Sequence, residues 1–149
     1  MPSDQRVASV PMSLRIFSNP WAGFALASIV IGLDQYTKDL ASRQLAYRVP
    51  VEITSWFDLT LAHNSGAAFS FLATAGGWQR WFFTGLGLIA AVVMIWLIRK
   101  NTSQTLFCLA MSLVLSGAIG NVIDRILYGA VVDFVDLRPN LTLLISSYV

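Results

Sequence analysis

The chain has 149 residues, of which 56% are hydrophobic and only 12% are charged. Soluble domains carry about 25% charged residues, so this composition favours a membrane protein that crosses the bilayer several times. The formal net charge is +2 and the basic residues are scattered, which argues against a nucleic-acid-binding protein.

The amino-terminal region predicts a tail followed by a first span. Residues 1–15 are polar and aperiodic, which is typical of a loose cytoplasmic tail. No charge occurs from Ile16 to Leu33, and Asn19 followed by Pro20 predicts a helix start with Asn as the cap. No small-residue cleavage pattern precedes Asp34, so the segment is interpreted as a retained signal anchor.

A charged segment, DQYTKDL, follows this span at residues 34–40. Asp34 and Lys38 stand four residues apart, on one face of a helix, where they can pair. Spacing alone favours a solvated helix end, where the chain leaves the hydrocarbon. A functional role for Asp34 and Lys38 is the alternative.

Residues 45–75 predict a small β-sheet lying on the membrane. The β-prone runs VPVEI, FDLTLA and AAFSF are separated by turn residues and are too short to span as helices. Within this region, HNSGAAFS at 63–70 favours an ordinary hairpin turn. The alternative is a loop that holds an extended peptide, with Asn64 supplying donors and an acceptor. His63 has no second His or Cys at metal-ligand spacing, so no metal site is expected.

The next region predicts a helical hairpin. Two uncharged segments, Trp81–Ile98 and a run ending at Ile123, are joined by a short turn from Arg99 to Gln104. Three tryptophans, Trp78, Trp81 and Trp96, lie near the ends of the first segment as expected of interfacial anchors. Cys108, the only cysteine, lies within the second segment and is expected to pack as a small hydrophobe.

Basic residues beside the short loops predict the orientation. Arg6, Arg15, Arg99 and Lys100 place the amino terminus and the hairpin turn in the cytoplasm. Residues 34–80 and the segment after Asp124 then lie outside. The polar residues expected to gather at that outer surface are Asp34, Asn64, Asn121, Asp124 and Asp133.

The stretch from Ser116 to Phe134 carries the strongest chemical signal. Asp133 stands between Val132 and Phe134, just past a membrane-length helix, and an acid so placed costs free energy unless it has a function. Carboxylates without a metal site suggest acid–base peptide hydrolysis, in which two carboxyl groups share one proton. Asp133 is the predicted member of such a pair.

Two other classes of function stay open on these residues alone. One is a membrane protein without catalysis, such as a small scaffold. The other is a proton relay or transporter, which the absence of charge inside the predicted spans disfavours.

Four motifs together resemble the lipoprotein signal peptidase family, also called signal peptidase II. They are DQYTK at 34–38, HNSGAAFSF from His63, GNVIDR at 120–125 and VVDF at 131–134. The resemblance implies a four-span inner-membrane aspartic protease with a small periplasmic sheet. It also implies cleavage of diacylglyceryl-modified prolipoproteins before the lipidated cysteine, with membrane lipids as surroundings and without a cofactor.

The resemblance also implies residue roles. Asp133 matches one of the two catalytic aspartates of the family. Asn64, Asn121 and Arg125 match polar positions that bind substrate or support the site. Asp34 and Lys38 match the motif that ends the first span, and Asp124 matches a structural acid.

The sequence departs from the family pattern after Leu137. The family carries its second catalytic aspartate in an FN-x-AD motif that opens a fourth span, whereas this chain continues RPNLTLLISSYV. Leu141–Val149 is too short to cross a bilayer core about 30 Å thick. Asp136 would point away from Asp133 on an extended strand. Asp124 is conceivable as the second acid but belongs to a different motif. The expectation is a single membrane-embedded peptidase domain over 1–149, incomplete at its carboxyl end, with three spans and impaired activity. A remnant that still binds lipoprotein precursors is the alternative.

Overall fold

The computed structural model describes residues 19–65 and 77–137. The helices and strands are, in chain order, α1 (Pro20–Gln44), β1 (Val51–Thr54), β2 (Phe57–Asn64), α2 (Trp78–Lys100), α3 (Thr105–Tyr128) and β3 (Val131–Leu137). The amino-terminal tail, the AAFSF run and the segment Leu141–Val149 lie outside the described residues.

Helix α1 begins where the sequence predicts and ends much later. The side chain of Asn19 accepts a hydrogen bond from the backbone N–H of Trp21 at 3.1 Å, and Pro20 occupies the first turn, as predicted. The helix continues past Leu33 to Gln44. The segment after Leu33 therefore continues the helix, and Asp34 and Lys38 lie within α1, well before its end.

The predicted helical hairpin is confirmed. Helix α2 ends at Lys100, and α3 runs from Thr105 to Tyr128. Gly129 still donates its N–H to the carbonyl of Arg125, and its φ of 82° then turns the chain out of the helix. Among the described helices, α2 and α3 are long and apolar enough to cross a membrane. The role of α1 as a further span stays a prediction.

The helix core contains three small side chains together with Ile98 and Leu115, whereas many large apolar side chains are exposed. Ala27, Ala91 and Cys108 belong to the core, and Ser112 is fully buried, whereas Ile89 is 65% exposed. Such a distribution suits a lipid environment, in which small residues let helices approach closely while large apolar residues face the acyl chains. The interpretation of Cys108 as a small packed side chain is confirmed.

The small sheet is also confirmed, with one strand from an unexpected source. Its order is β1-β2-β3, both pairings are antiparallel, and β3 comes from the segment after α3. The left-handed turn at Gly129 reverses the chain, so that Val131–Leu137 returns along β2. His63 and Asn64 belong to β2, so the hairpin turn predicted there is wrong for these two residues. Residues 66–70 of that segment lie outside the described residues.

Candidate active site

A cleft of about 360 Å³ lies where α1, α3 and β3 meet. Its lining includes Asp34, Lys38, Asn121, Val132, Asp133, Phe134 and Val135. Three of the polar residues expected to gather, Asp34, Asn121 and Asp133, are therefore brought together from three separate elements.

Lys38 is the centre of an ion-pair network beside this cleft. Its Nζ lies 2.9 Å from Asp34 Oδ2 and 2.7 Å from Asp124 Oδ2. The expected pairing of Asp34 with Lys38 is confirmed, but the solvated helix end is wrong, since Lys38 is only 7% exposed. An ammonium group leaves water only when partners replace its hydration, and here two carboxylates do so.

The network keeps Lys38 charged. Burial by itself lowers the pKa of Lys38, but the hydrogen bonds and charges of Asp124 and Asp34 outweigh burial and hold that pKa above its ordinary value. The pairing thus contributes stability throughout the neutral range. The part that comes from Lys38 is lost as the pH rises through its raised pKa.

Asp124 is fully buried, and its carboxylate is supplied with donors from two other elements. Oδ1 accepts from Gln35 Nε2 at 2.8 Å, and Oδ2 accepts from the backbone N–H of Val132 at 3.2 Å, in addition to Lys38. The carboxylate therefore joins α1 to the start of β3. This arrangement agrees with the structural role that the resemblance implies.

Asp133 reaches the cleft because of its position in β3. Val131 and Val132 are buried at 6% and 2% exposure, and the strand then presents Asp133 as an exposed residue opposite Ala62 of β2. The carboxylate of Asp136, three residues further along, accepts a hydrogen bond from Thr60 at 3.3 Å instead. Because side chains alternate along a strand, the two acids lie on different faces.

Asn64 and Arg125 lie outside the described lining of the cleft. Asn64 ends β2 and pairs with Val131, two residues before Asp133. The guanidinium of Arg125 stacks over the ring of Phe83 at 5.4 Å and donates to the backbone carbonyl of Asn121 at 3.2 Å. Arg125 thus ties α2 to α3 just below the cleft.

Two contributors were missed by sequence reasoning, Gln35 and Gly120. Both lie inside motifs that were recognised, yet roles were given only to neighbouring residues of those motifs. Gly120 lets α1 approach, because a Cβ at that position would overlap Asp34 Oδ2. The sequence shows that a glycine stands at position 120, but nothing in it indicates that this glycine faces an acid on another helix.

Within residues 19–65 and 77–137, no group of three or more His, Cys, Asp or Glu side chains is placed as metal ligands would be. The chemistry that these residues offer is that of carboxylates, amides and one shared ammonium group.

Comparison with known proteins identifies the family. A family model described as signal peptidase (SPase) II matches residues 26–146. The chain is 57% identical over 119 residues to the lipoprotein signal peptidase of Ralstonia nicotianae, a match that covers 80% of this chain and 68% of the relative. It is 54% identical over 116 residues to the lipoprotein signal peptidase of Cupriavidus necator, covering 78% of this chain and 65% of the relative.

The chain spans only about two thirds of the length of these relatives. Its fold is similar to that of two solved bacterial membrane enzymes. A bacterial membrane enzyme superposes with a TM-score of 0.68 at 29% identity, covering 78% of this chain and 74% of the other. A second bacterial membrane enzyme gives a TM-score of 0.69 at 28% identity, with coverage of 78% and 70%. On the family model and these relatives, the chain belongs to the signal peptidase II family of bacterial membrane proteases.

Proposed function

We propose that this protein is a membrane aspartic endopeptidase that removes signal peptides from diacylglyceryl-modified prolipoproteins. The family is one of proteases, and the relatives are named lipoprotein signal peptidases. The observation that carries the proposal is the exposure of Asp133 in a cleft that also contains Asp34, Lys38 and Asn121.

In the proposed reaction, the ionised carboxylate of Asp133 takes a proton from a water molecule, whose oxygen attacks the scissile carbonyl carbon. When the C–N bond of the tetrahedral intermediate breaks, Asp133 returns that proton to the leaving amine. A second, protonated carboxyl on the far side of the scissile bond polarises its carbonyl. Asp124 is unsuited to that second role because it is fully buried and already accepts from Lys38, Gln35 and Val132. Asp136 is unsuited because it lies on the other face of β3, beside Thr60. Neither acid replaces the second aspartate of the family motif.

Asn121 contributes a polar side chain to the same cleft. We assign it to the backbone of the bound precursor, because an amide side chain supplies both a donor and an acceptor to an extended peptide. Asn64 and Arg125 are assigned to support, since Asn64 extends β2 beside Val131 and Arg125 joins α2 to α3. No cofactor is required by this chemistry.

The proposed location is the bacterial inner membrane, crossed several times, with the amino terminus in the cytoplasm. Arg99 and Lys100 lie at the turn between α2 and α3, and the cleft lies at the other end of α3. Basic residues favour the cytoplasmic side of short loops, so the cleft falls on the periplasmic side. Lipoprotein precursors and the surrounding lipids would meet the cleft there.

The test compares Asp133→Asn with Asp136→Asn in the protein expressed from its complete gene. Asparagine keeps the shape of the side chain but cannot act as a base, so Asp133→Asn should lower kcat for a diacylglyceryl-modified precursor by a factor of about 1,000 or more. Asp136→Asn makes the same chemical change on the same strand and should leave kcat within about twofold, as expected of an exposed residue away from the cleft. Cleavage that survives Asp133→Asn in folded protein would contradict the assignment.

A further inference from the structure

The side-chain amide of Gln35 lies between two carboxylates that belong to different helices. Its Nε2 donates to Asp124 Oδ1 at 2.8 Å and to Asp34 Oδ2 at 3.2 Å. The carbonyl of Gly120 lies 3.4 Å from the same nitrogen and is a weaker third acceptor. Gln35 of α1 therefore contacts both α3, through Asp124 and Gly120, and Asp34, which lines the cleft.

The chemistry of an amide explains why glutamine suits this place. The NH₂ group has two hydrogens, and the two shorter contacts direct one to each carboxylate. The opposite orientation would put the amide oxygen against both acids, so the hydrogen-bond network fixes the orientation. Lys38 joins the same two carboxylates by ion pairs at 2.9 and 2.7 Å. The two acids thus share one positive charge, and Gln35 supplies further donors without adding charge.

The same carboxylate that receives Gln35 also receives the backbone of β3. Asp124 Oδ2 accepts from the N–H of Val132, which directly precedes Asp133. A rotation of the Asp124 carboxylate would therefore disturb its hydrogen bond to the Val131–Val132 peptide group, one residue before Asp133. Gln35 Nε2 holds the other oxygen, Oδ1, and so opposes that rotation.

We propose that Gln35 is a positioning residue, which orients the Asp124 carboxylate and through it the start of β3, so that Asp133 faces the cleft in its working geometry. This inference rests on the proposed function, in which Asp133 is the residue that activates water. Gln35 itself touches neither water nor substrate in this role. The charged groups that bond to Gln35 or to its two acids are Asp34 and Lys38 from α1 and Asp124 from α3. Arg125 from α3 interacts electrostatically with Asp124 and with Asp133 from β3.

The test uses two substitutions in the protein expressed from its complete gene. Gln35→Met removes the donors at similar size, and we expect kcat to fall about tenfold to a hundredfold with KM within about twofold, as for a small misplacement of a reacting group. Gln35→Glu adds a carboxyl between two acids. For this variant we expect a fall in kcat and, in addition, a shift of the acidic limb of the kcat/KM profile to higher pH. The shift is expected because neighbouring like charges raise the proton affinity of carboxyl groups.

The control is Gln44→Glu, which adds the same charge at an exposed position of the same helix. It should leave kcat and the pH profile unchanged. A role in folding alone would lower the yield or the Tm of both Gln35 variants but would not move the pH profile of the protein that folds.

The outcomes separate this inference from the proposed function. If Asp133→Asn abolishes cleavage while folded Gln35→Met and Gln35→Glu keep wild-type kcat and pH profile, positioning by Gln35 is wrong and the function stands. If Gln35→Glu does not fold, Gln35→Met decides, with a fall in kcat at constant KM supporting the inference. If neither variant folds, the inference is overturned in favour of a purely structural glutamine.

Discussion

The two halves of α3 bury polar groups in different ways. In its first half, Ser112 and Ser116 donate to carbonyls of their own helix, those of Cys108 at 2.7 Å and Leu113 at 2.6 Å. In its last turns, Asp124 instead receives donors from Lys38 and Gln35, which belong to α1. The serine hydroxyls keep their hydrogen bonds whatever the position of the neighbouring helix. Asp124 keeps its hydrogen bonds from Gln35 and Lys38 only when these residues of α1 lie opposite it.

This difference has a functional consequence. The body of the helical hairpin packs through uncharged side chains such as Ala91, Ile98 and Leu115, so a shift of the neighbouring helix would leave no charge unpaired there. The cleft end is held by charges whose partners are distant in sequence, so a shift would leave a buried charge unpaired. The geometry around Asp133 is therefore defined more strictly than the packing of the helices below it.

The largest effect should come from breaking the buried ion pairs of Lys38. Lys38→Met leaves the fully buried Asp124 without its cation, and the loss of one partner of a buried pair costs about 3–5 kcal/mol. We expect the free energy of unfolding in mixed micelles to fall by about that amount. The double variant Lys38→Met/Asp124→Asn removes both charges and should recover part of the loss.

The matched control is the exposed pair of Asp39 with Arg43 on the same helix, at 2.9 Å and also four residues apart. The side chain of Arg43 is 75% exposed, so Arg43→Met should change the free energy of unfolding by less than about 1 kcal/mol. Equal losses for Lys38→Met and Arg43→Met would mean that the network at the cleft is no more important than a surface pair.

A smaller effect is expected at Gly120, where α3 faces Asp34 of α1 beside the cleft. Gly120→Ala would place a methyl group against Asp34 Oδ2, and such overpacking costs about 1–3 kcal/mol. Gly117→Ala, one turn earlier on α3, meets nothing within 4 Å and should be neutral or slightly stabilising. The Tm of the two variants in detergent checks this, and an equal response would show that α1 can move away from Gly120 without loss.

Local signals in the sequence predicted the start of α1, the helical hairpin and the first two strands, but not the end of α1 or of β2. The Asn19-Pro20 start and the hairpin turn after Lys100 both depend on residues adjacent in the chain. The cleft residues Asp34, Asn121 and Asp133 were predicted from motifs and from the expected orientation. All three residues line the same cleft, as expected.

What the sequence could not predict depends on contacts between distant residues. The burial of Lys38 follows from an acid that lies far along the chain, and spacing within α1 shows only its pairing with Asp34. The pairing of β3 with β2 requires the whole helical hairpin to return the chain to the sheet. Gln35 and Gly120 were missed for the same reason, because neither an amide nor a glycine shows its partner in the sequence.

The central claim, that lipoprotein precursors bind and are cleaved at the cleft of Asp133, is tested most directly by site-specific crosslinking. A photoreactive amino acid replaces Val135, an exposed residue of the cleft lining, in Asp133→Asn protein that holds precursor without cleaving it. The control replaces Ile89, which is 65% exposed on α2. We predict a crosslinked diacylglyceryl-modified precursor from position 135 and little or none from position 89. Crosslinking from position 89 alone, or equally from both positions, would contradict the claim.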